Sequence, residues 1–191
     1  GADWRTAEPL MAAGRMPNLA QLVREGASGN LRSNDPMFSP LLWTTVATGK
    51  APTEHGIADF LVKDAKNGER HPITSDFRKV KALWNILGDF DRPSTWIGWW
   101  ASFPAEAIRG TIVTDYLAAA VNRSGPEAAV AISGIASPAD VLRGQTGLLI
   151  GASQVTREEV ARIIPVTEEE FRAALADIAR PSKKGDKTRG N

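Results

Sequence analysis

Residues 79–100 read KVKALWNILGDFDRPSTWIGWW, and two periodicities meet inside them. Val80, Leu83, Trp84 and Leu87 recur at helical spacing, which predicts a one-sided helix over 79–87 ended by Gly88. After the turn DFDRPS, the run TWIGWW (95–100) is β-branched and aromatic and predicts a buried strand. Strand alternation assigns Trp96, Gly98 and Trp100 to one face and Ile97 and Trp99 to the other, as in a central strand covered on both sides. Core packing is the favoured role for these tryptophans, ahead of a platform for sugars or bases. Helix, turn and strand make half of a repeating α/β unit, and GTIVTD (110–115) supplies a second strand after the loop FPAEAIR.

Upstream, Pro17 and NLAQLVREG predict a helix over 17–25 with Gly26 as the residue after it. SGNLRS reads as a short extended piece and NDPMF as a loop. LLWTTVAT is apolar on several sides and closes with Gly49, so a short, mostly buried helix is expected, with Ser39 at its N-cap and Pro40 in its first turn. KAPTEHGI reads as a loop. Downstream of Tyr116, LAAAV, EAAVAI and QTGLLIGASQ are each compatible with helix or strand. Thr156 to Glu159 and Thr167 to Glu170 match the capping-box pattern and predict helices through EVARII and FRAALADIA.

The bulk composition narrows the class. The chain of 191 residues is 42% hydrophobic and 24% charged, enough apolar material for a core and too little charge excess for disorder. Its 23 basic and 22 acidic side chains nearly cancel, which gives no reason to expect a nucleic acid polymer as partner. Without cysteine there is no disulfide, thiolate metal site or thiol nucleophile, and compartment stays open. No apolar run approaches the roughly 20 residues of a membrane-spanning helix. The start, GADWRTAEPL, has no initiator methionine and no strand before it, and the end is polar and basic, so a fragment is expected.

Ser39 admits two readings. Serine is among the commonest N-caps, and Ser-Pro at a helix start needs no catalytic explanation. A helix N-terminus also carries about half a positive charge and unpaired N–H groups, which suit phosphate oxygens and an alkoxide. The surroundings favour the second reading. The spacing F-S-P-x-x-W-x-x-x-x-T-G-x-x-P-x-x-H-G-I, preceded by DWRTAEPLMAAGRMPNLAQLVREGA, resembles the type I phosphodiesterase and nucleotide pyrophosphatase family of the alkaline phosphatase superfamily. The resemblance runs from Gly1 to about Asp115 and includes KALWNILG and IGWWASFPAE. It is most specific in MPNLAQLVREGA and in the block from Ser39 to Ile57.

The resemblance implies a three-layer alkaline-phosphatase-like α/β fold with a mostly parallel central sheet, incomplete in this chain. Residues 1–180 would be the N-terminal part of a catalytic domain, and residues 181–191 a polar basic tail. It implies a metal-dependent phosphoester hydrolase, phosphodiesterase, nucleotide pyrophosphatase or phosphatase, acting on a small phosphoester or nucleotide. Two divalent cations, zinc as a rule, are implied as cofactors. In the family the Thr or Ser nine residues before T-G is the nucleophile, which is Ser39 here; its oxygen joins the metals, and a phosphoserine forms and is hydrolysed. The family's first ligand is an aspartate immediately before the G-A-D-W start, and further ligands lie in D-x-x-x-H and D-H-G motifs, none of which follows residue 115. The expectation is therefore that the Asp and His ligands lie outside this chain and that the chain alone is inactive.

His55 and His71 are the sole histidines, and neither occupies a ligand position of the family. A satisfied structural histidine is the favoured role for His55, and a surface loop position for His71. Asp59 falls near a family asparagine that helps hold phosphate, although Phe60 occupies the matching distance from the nucleophile. Trp43, one helical turn after Ser39, is a candidate to line a substrate cleft. A sulfatase is disfavoured, since Ser39-Pro40-Leu41-Leu42-Trp43 lacks both the proline position and the arginine of C/S-x-P-x-R. The alternative in another class is a non-catalytic α/β binding or structural module whose metal site has been lost. Oligomeric state stays open, and export from a bacterial cytoplasm is only hinted at by relatives.

Overall fold

Glycine decides how closely two strands meet in the parallel part of the sheet. At Gly110, with φ +135°, an added Cβ would lie 1.9 Å from the Ser94 carbonyl oxygen, so no larger residue fits where these two strands begin to pair. The computed structural model describes residues 3–179, and the basic tail expected at 181–191 lies outside them. The described residues fall into two units that divide between Asp35 and Pro36.

The first unit holds α1 (Trp4–Ala12) and α2 (Pro17–Glu25). Asp3 caps α1, its carboxylate accepting the Arg5 N–H at 3.1 Å, an aspartate cap the sequence reading passed over. Pro17 opens α2 at a position where a missing N–H costs nothing, as expected. The Trp4 indole N–H donates to the Gly29 carbonyl at 3.2 Å. SGNLRS is irregular rather than a strand.

The second unit runs through α3 (Ser39–Thr48), α4 (Pro52–His55), β1 (Leu61–Lys63), β2 (Arg70–Pro72), α5 (Leu83–Asp89), β3 (Ser94–Trp99), β4 (Gly110–Thr114), α6 (Tyr116–Ser124), α7 (Pro126–Val130), β5 (Ala136–Ser137), α8 (Arg157–Ala161) and α9 (Glu168–Ala179). β1 and β2 form an antiparallel hairpin. The other sheet has the order β3-β4-β5, with β3 parallel to β4 and β5 antiparallel to it. The architecture is therefore α/β with small, mixed sheets.

β4 is the strand covered on both faces. Ile112 packs on one side with Ala47, Ala82 and Trp84, while Val113 packs on the other with Leu117, Val121, Ala129 and Ile135. Helices α3 and α5 thus face one side of the sheet and α6 and α7 the other. LAAAV and most of EAAVAI resolve as helix because their small residues pack flat against this second face. QTGLLIGASQ forms two single 3-10 turns.

Three local expectations are corrected. α5 begins at Leu83, because Ala82 is extended at φ −92° and ψ 170° and stands as the N-cap, and Gly88 lies within the helix. KAPTEHGI contains the one-turn helix α4. The alternation assigned to residues 95–100 fails at Gly98, whose φ of +67° carries a register shift between Ile97 and Trp99. The bulge returns Trp99 to the face of Trp96, with ring centroids 5.3 Å apart and both rings against Trp84. Ile97, 74% exposed, is left on the opposite side, so β3 is an edge strand and not a central one.

Candidate active site around Ser39

The first hydrogen bond of α3 runs from the Leu42 N–H to the Phe38 carbonyl at 2.9 Å. Phe38, extended at φ −89° and ψ 129°, is therefore the N-cap, and its side chain supplies no capping bond. Ser39 is the first helical residue and Pro40 the second, one position later than the sequence reading placed them. The difference has a chemical consequence. An N-cap hydroxyl faces the N–H groups of the next turn, whereas Ser39 at N1 does no capping. Its side chain is half-buried.

Pro40 and Leu41 anchor this turn in the interior, and Gly49 ends the helix in the left-handed conformation at φ +64°. Around Ser39 the chain gathers aromatic rings. Phe38 lies 5.9 Å from Phe60, and Phe60 meets Trp100 edge-on at 5.6 Å. Trp43, 44% exposed on the same helical face as Ser39, meets the Trp99 ring edge-on at 5.1 Å and accepts the Trp99 indole N–H on its carbonyl at 3.1 Å. Phe60, against the residue before Ser39, and Trp100, against Phe60, are the rings that sequence reasoning missed. Their one signal was the offset of Phe60 from Ser39.

Asp59 is half-buried, and its carboxylate accepts the Phe60 N–H at 2.6 Å and pairs with Arg70 at 3.6 Å. It thus neighbours a ring that touches the residue before Ser39, with both oxygens engaged by the protein. His71 lies exposed on β2, 3.8 Å from Glu69. His55 is fully buried, as a structural histidine should be: Nδ1 accepts the Ile57 N–H at 3.1 Å and Nε2 lies 3.0 Å from the Thr45 hydroxyl. Burial pushes its imidazole below the ordinary value of 6.5, against a smaller opposing pull from Glu54.

The family model for type I phosphodiesterase / nucleotide pyrophosphatase matches residues 1–162. The chain belongs to this family. The match reaches well beyond Asp115 and takes in the whole sheet. Searches of curated proteins and of solved structures return no match. Type I phosphodiesterases are phosphoric ester hydrolases, and membership makes this chain one by family. The family acts on small phosphoester or nucleotide substrates and is generally metal-dependent. No helix among the described residues is long and apolar enough to cross a membrane.

The residues present do not by themselves fit a cation pair. Among the described residues no three His, Asp or Glu side chains converge as a metal group. Both nitrogens of His55 are engaged, and so are both oxygens of Asp59. Asp115, at the C-terminal end of β4, accepts the N–H groups of Ala101 and Ser102 at 3.0 and 3.3 Å and lies 3.2 Å from the Ser102 hydroxyl. These carboxylates hold loops in place.

Proposed function

We propose that Ser39 is the nucleophile of a phosphodiesterase, nucleotide pyrophosphatase or phosphatase reaction that passes through a phosphoserine. The carrying observation is the position of Ser39 at N1, where its hydroxyl does no capping at the positive end of a ten-residue helix. In the first step Oγ attacks phosphorus in line with the departing alcohol or nucleotide. The Oγ–P bond forms as the ester P–O bond breaks, the Oγ proton is lost, and the leaving oxygen takes up a proton. In the second step water attacks phosphorus, the Oγ–P bond breaks, and Ser39 regains its proton. By helix geometry the N–H groups of Ser39 and Leu41 have no partner within α3, and they face the phosphoryl oxygens on which charge accumulates.

Asp59 and Trp43 flank this position as substrate-side groups. Residues 1–180 act as the N-terminal part of a three-layer, alkaline-phosphatase-like catalytic domain with a mostly parallel sheet. The parallel pairing of β3 and β4 and the two covered faces of β4 support that reading. The two divalent cations of the reading, zinc as a rule, take their Asp and His ligands from outside this chain. The second reading, a non-catalytic binding module, draws support from the engagement of Asp59 and Asp115 with their own loops.

The test is to incubate the full-length protein with zinc and a labelled phosphodiester, quench in acid and map the label by peptide mass spectrometry. The labelled phosphoryl group, still esterified to the alcohol that has not left, on the peptide carrying Ser39 and absent from Ser39→Ala, is the expected result. Steady turnover with the label on another residue, or turnover that survives Ser39→Ala, overturns the proposal.

A further inference from the structure

We infer that His55 is a positioning residue for Ser39, acting through Thr45 on the first turn of α3; the inference rests on the nucleophile reading above. The bonding pattern assigns the tautomer. Because Nδ1 accepts the Ile57 N–H at 3.1 Å, it carries the lone pair and the proton sits on Nε2. Nε2–H then donates to the Thr45 hydroxyl oxygen at 3.0 Å, and that hydroxyl donates to the Leu41 carbonyl at 3.0 Å. Leu41 is two residues after Ser39, in the same turn.

The far end of the chain is anchored as well. The His55 carbonyl accepts the Lys79 N–H at 3.0 Å. Gly56 adopts φ +82°, and an added Cβ there would lie 2.9 Å from the Phe77 carbonyl oxygen, so only glycine lets α4 sit this close to residues 77–79. A continuous line of bonds therefore runs from that segment through the imidazole to the turn bearing the nucleophile. A buried apolar residue would fill the same space without direction. An Nε2–H donor holds the turn along one vector, and small displacements of a nucleophile are costly to turnover.

The test compares His55→Asn, which keeps an acceptor near the Nδ1 place and loses the Nε2 donor, with His55→Gln, whose amide reaches toward Thr45. Thr45→Val cuts the same line without touching the imidazole. Imidazole nitrogen NMR of the unaltered protein should show a neutral Nε2–H tautomer. Amide exchange in α3 should quicken roughly tenfold in His55→Asn and Thr45→Val and return to within about threefold in His55→Gln. In the full-length protein, His55→Asn should lower kcat at least about tenfold with KM within about twofold, and His55→Gln should recover it. An Nδ1–H tautomer, unchanged α3 exchange, or faster exchange with unchanged kcat overturns the inference. If Ser39→Ala retains full turnover, the nucleophile reading falls and takes the positioning role with it, while the exchange and tautomer data separately decide whether the clamp exists.

Discussion

Helices α3, α8 and α9 each have a serine or threonine at their start, and they use it in two ways. At α8 and α9 the hydroxyls of Thr156 and Thr167 accept the N–H of Glu159 and Glu170 at 3.3 and 3.2 Å, and the two carboxylates return bonds to the threonine N–H groups at 2.8 Å. At α3 the cap is Phe38, and Ser39 stands one residue inside the helix with no capping bond. A shift of one residue turns the same functional group from a structural fastener into a half-buried oxygen at the helix's positive end. The threonines are accounted for by helix stability alone, and Ser39 is not.

The largest effect expected of this contrast is on turnover. Ser39→Ala should reduce hydrolysis of bis-p-nitrophenyl phosphate by the full-length protein at least about a thousandfold, while Thr156→Ala and Thr167→Ala leave it unchanged. Stability should respond in the opposite sense. Each threonine substitution should cost about 1 kcal/mol of its own helix, read as roughly fivefold faster amide exchange confined to α8 or α9.

The two capping carboxylates add a pH test. Backbone N–H bonds from Thr156 and Thr167, followed by bonds from their hydroxyls, hold Glu159 and Glu170 below the ordinary value of 4.5. A carboxylate with a lowered folded pKa contributes stability that is fully present above its unfolded value and disappears as pH falls through the folded one. Helical circular dichroism should therefore decline below pH 4.5, with exchange rising in α8 and α9 before α3, which has no acidic residue in its first turn. The smallest expected effect is the sharpest check. Ser39→Ala should shift thermal stability by no more than about 0.5 kcal/mol, and a loss near the threonine value would make Ser39 a cap after all.

Much of the local structure was legible along the chain. The capping boxes, Pro17 at the start of α2, Gly49 at the end of α3 and the strands near 95 and 110 follow from interactions within a few residues, and each stands where expected or within one or two positions. The start of α5 was not legible, because Val80 continues the apolar spacing although the chain bends there and the helix begins only after Ala82. The tryptophan faces were misread for a related reason. Simple alternation assumes an unbroken strand, and Gly98 breaks it by a conformation whose benefit appears only when Trp96 and Trp99 meet Trp84.

At the candidate site the division is the same. The pattern of Ser39, a T-G helix end and an H-G-I turn within one short stretch carried the family resemblance that singled out Ser39. That Ser39 is no cap, that Phe60 stands beside Phe38 and Trp100 beside Phe60, and that His55 reaches Leu41 through Thr45 depended on the tertiary structure. A helix's first hydrogen bond and a buried imidazole's tautomer are set by what the folded chain brings against them, and no pattern of neighbours along the sequence carries that information.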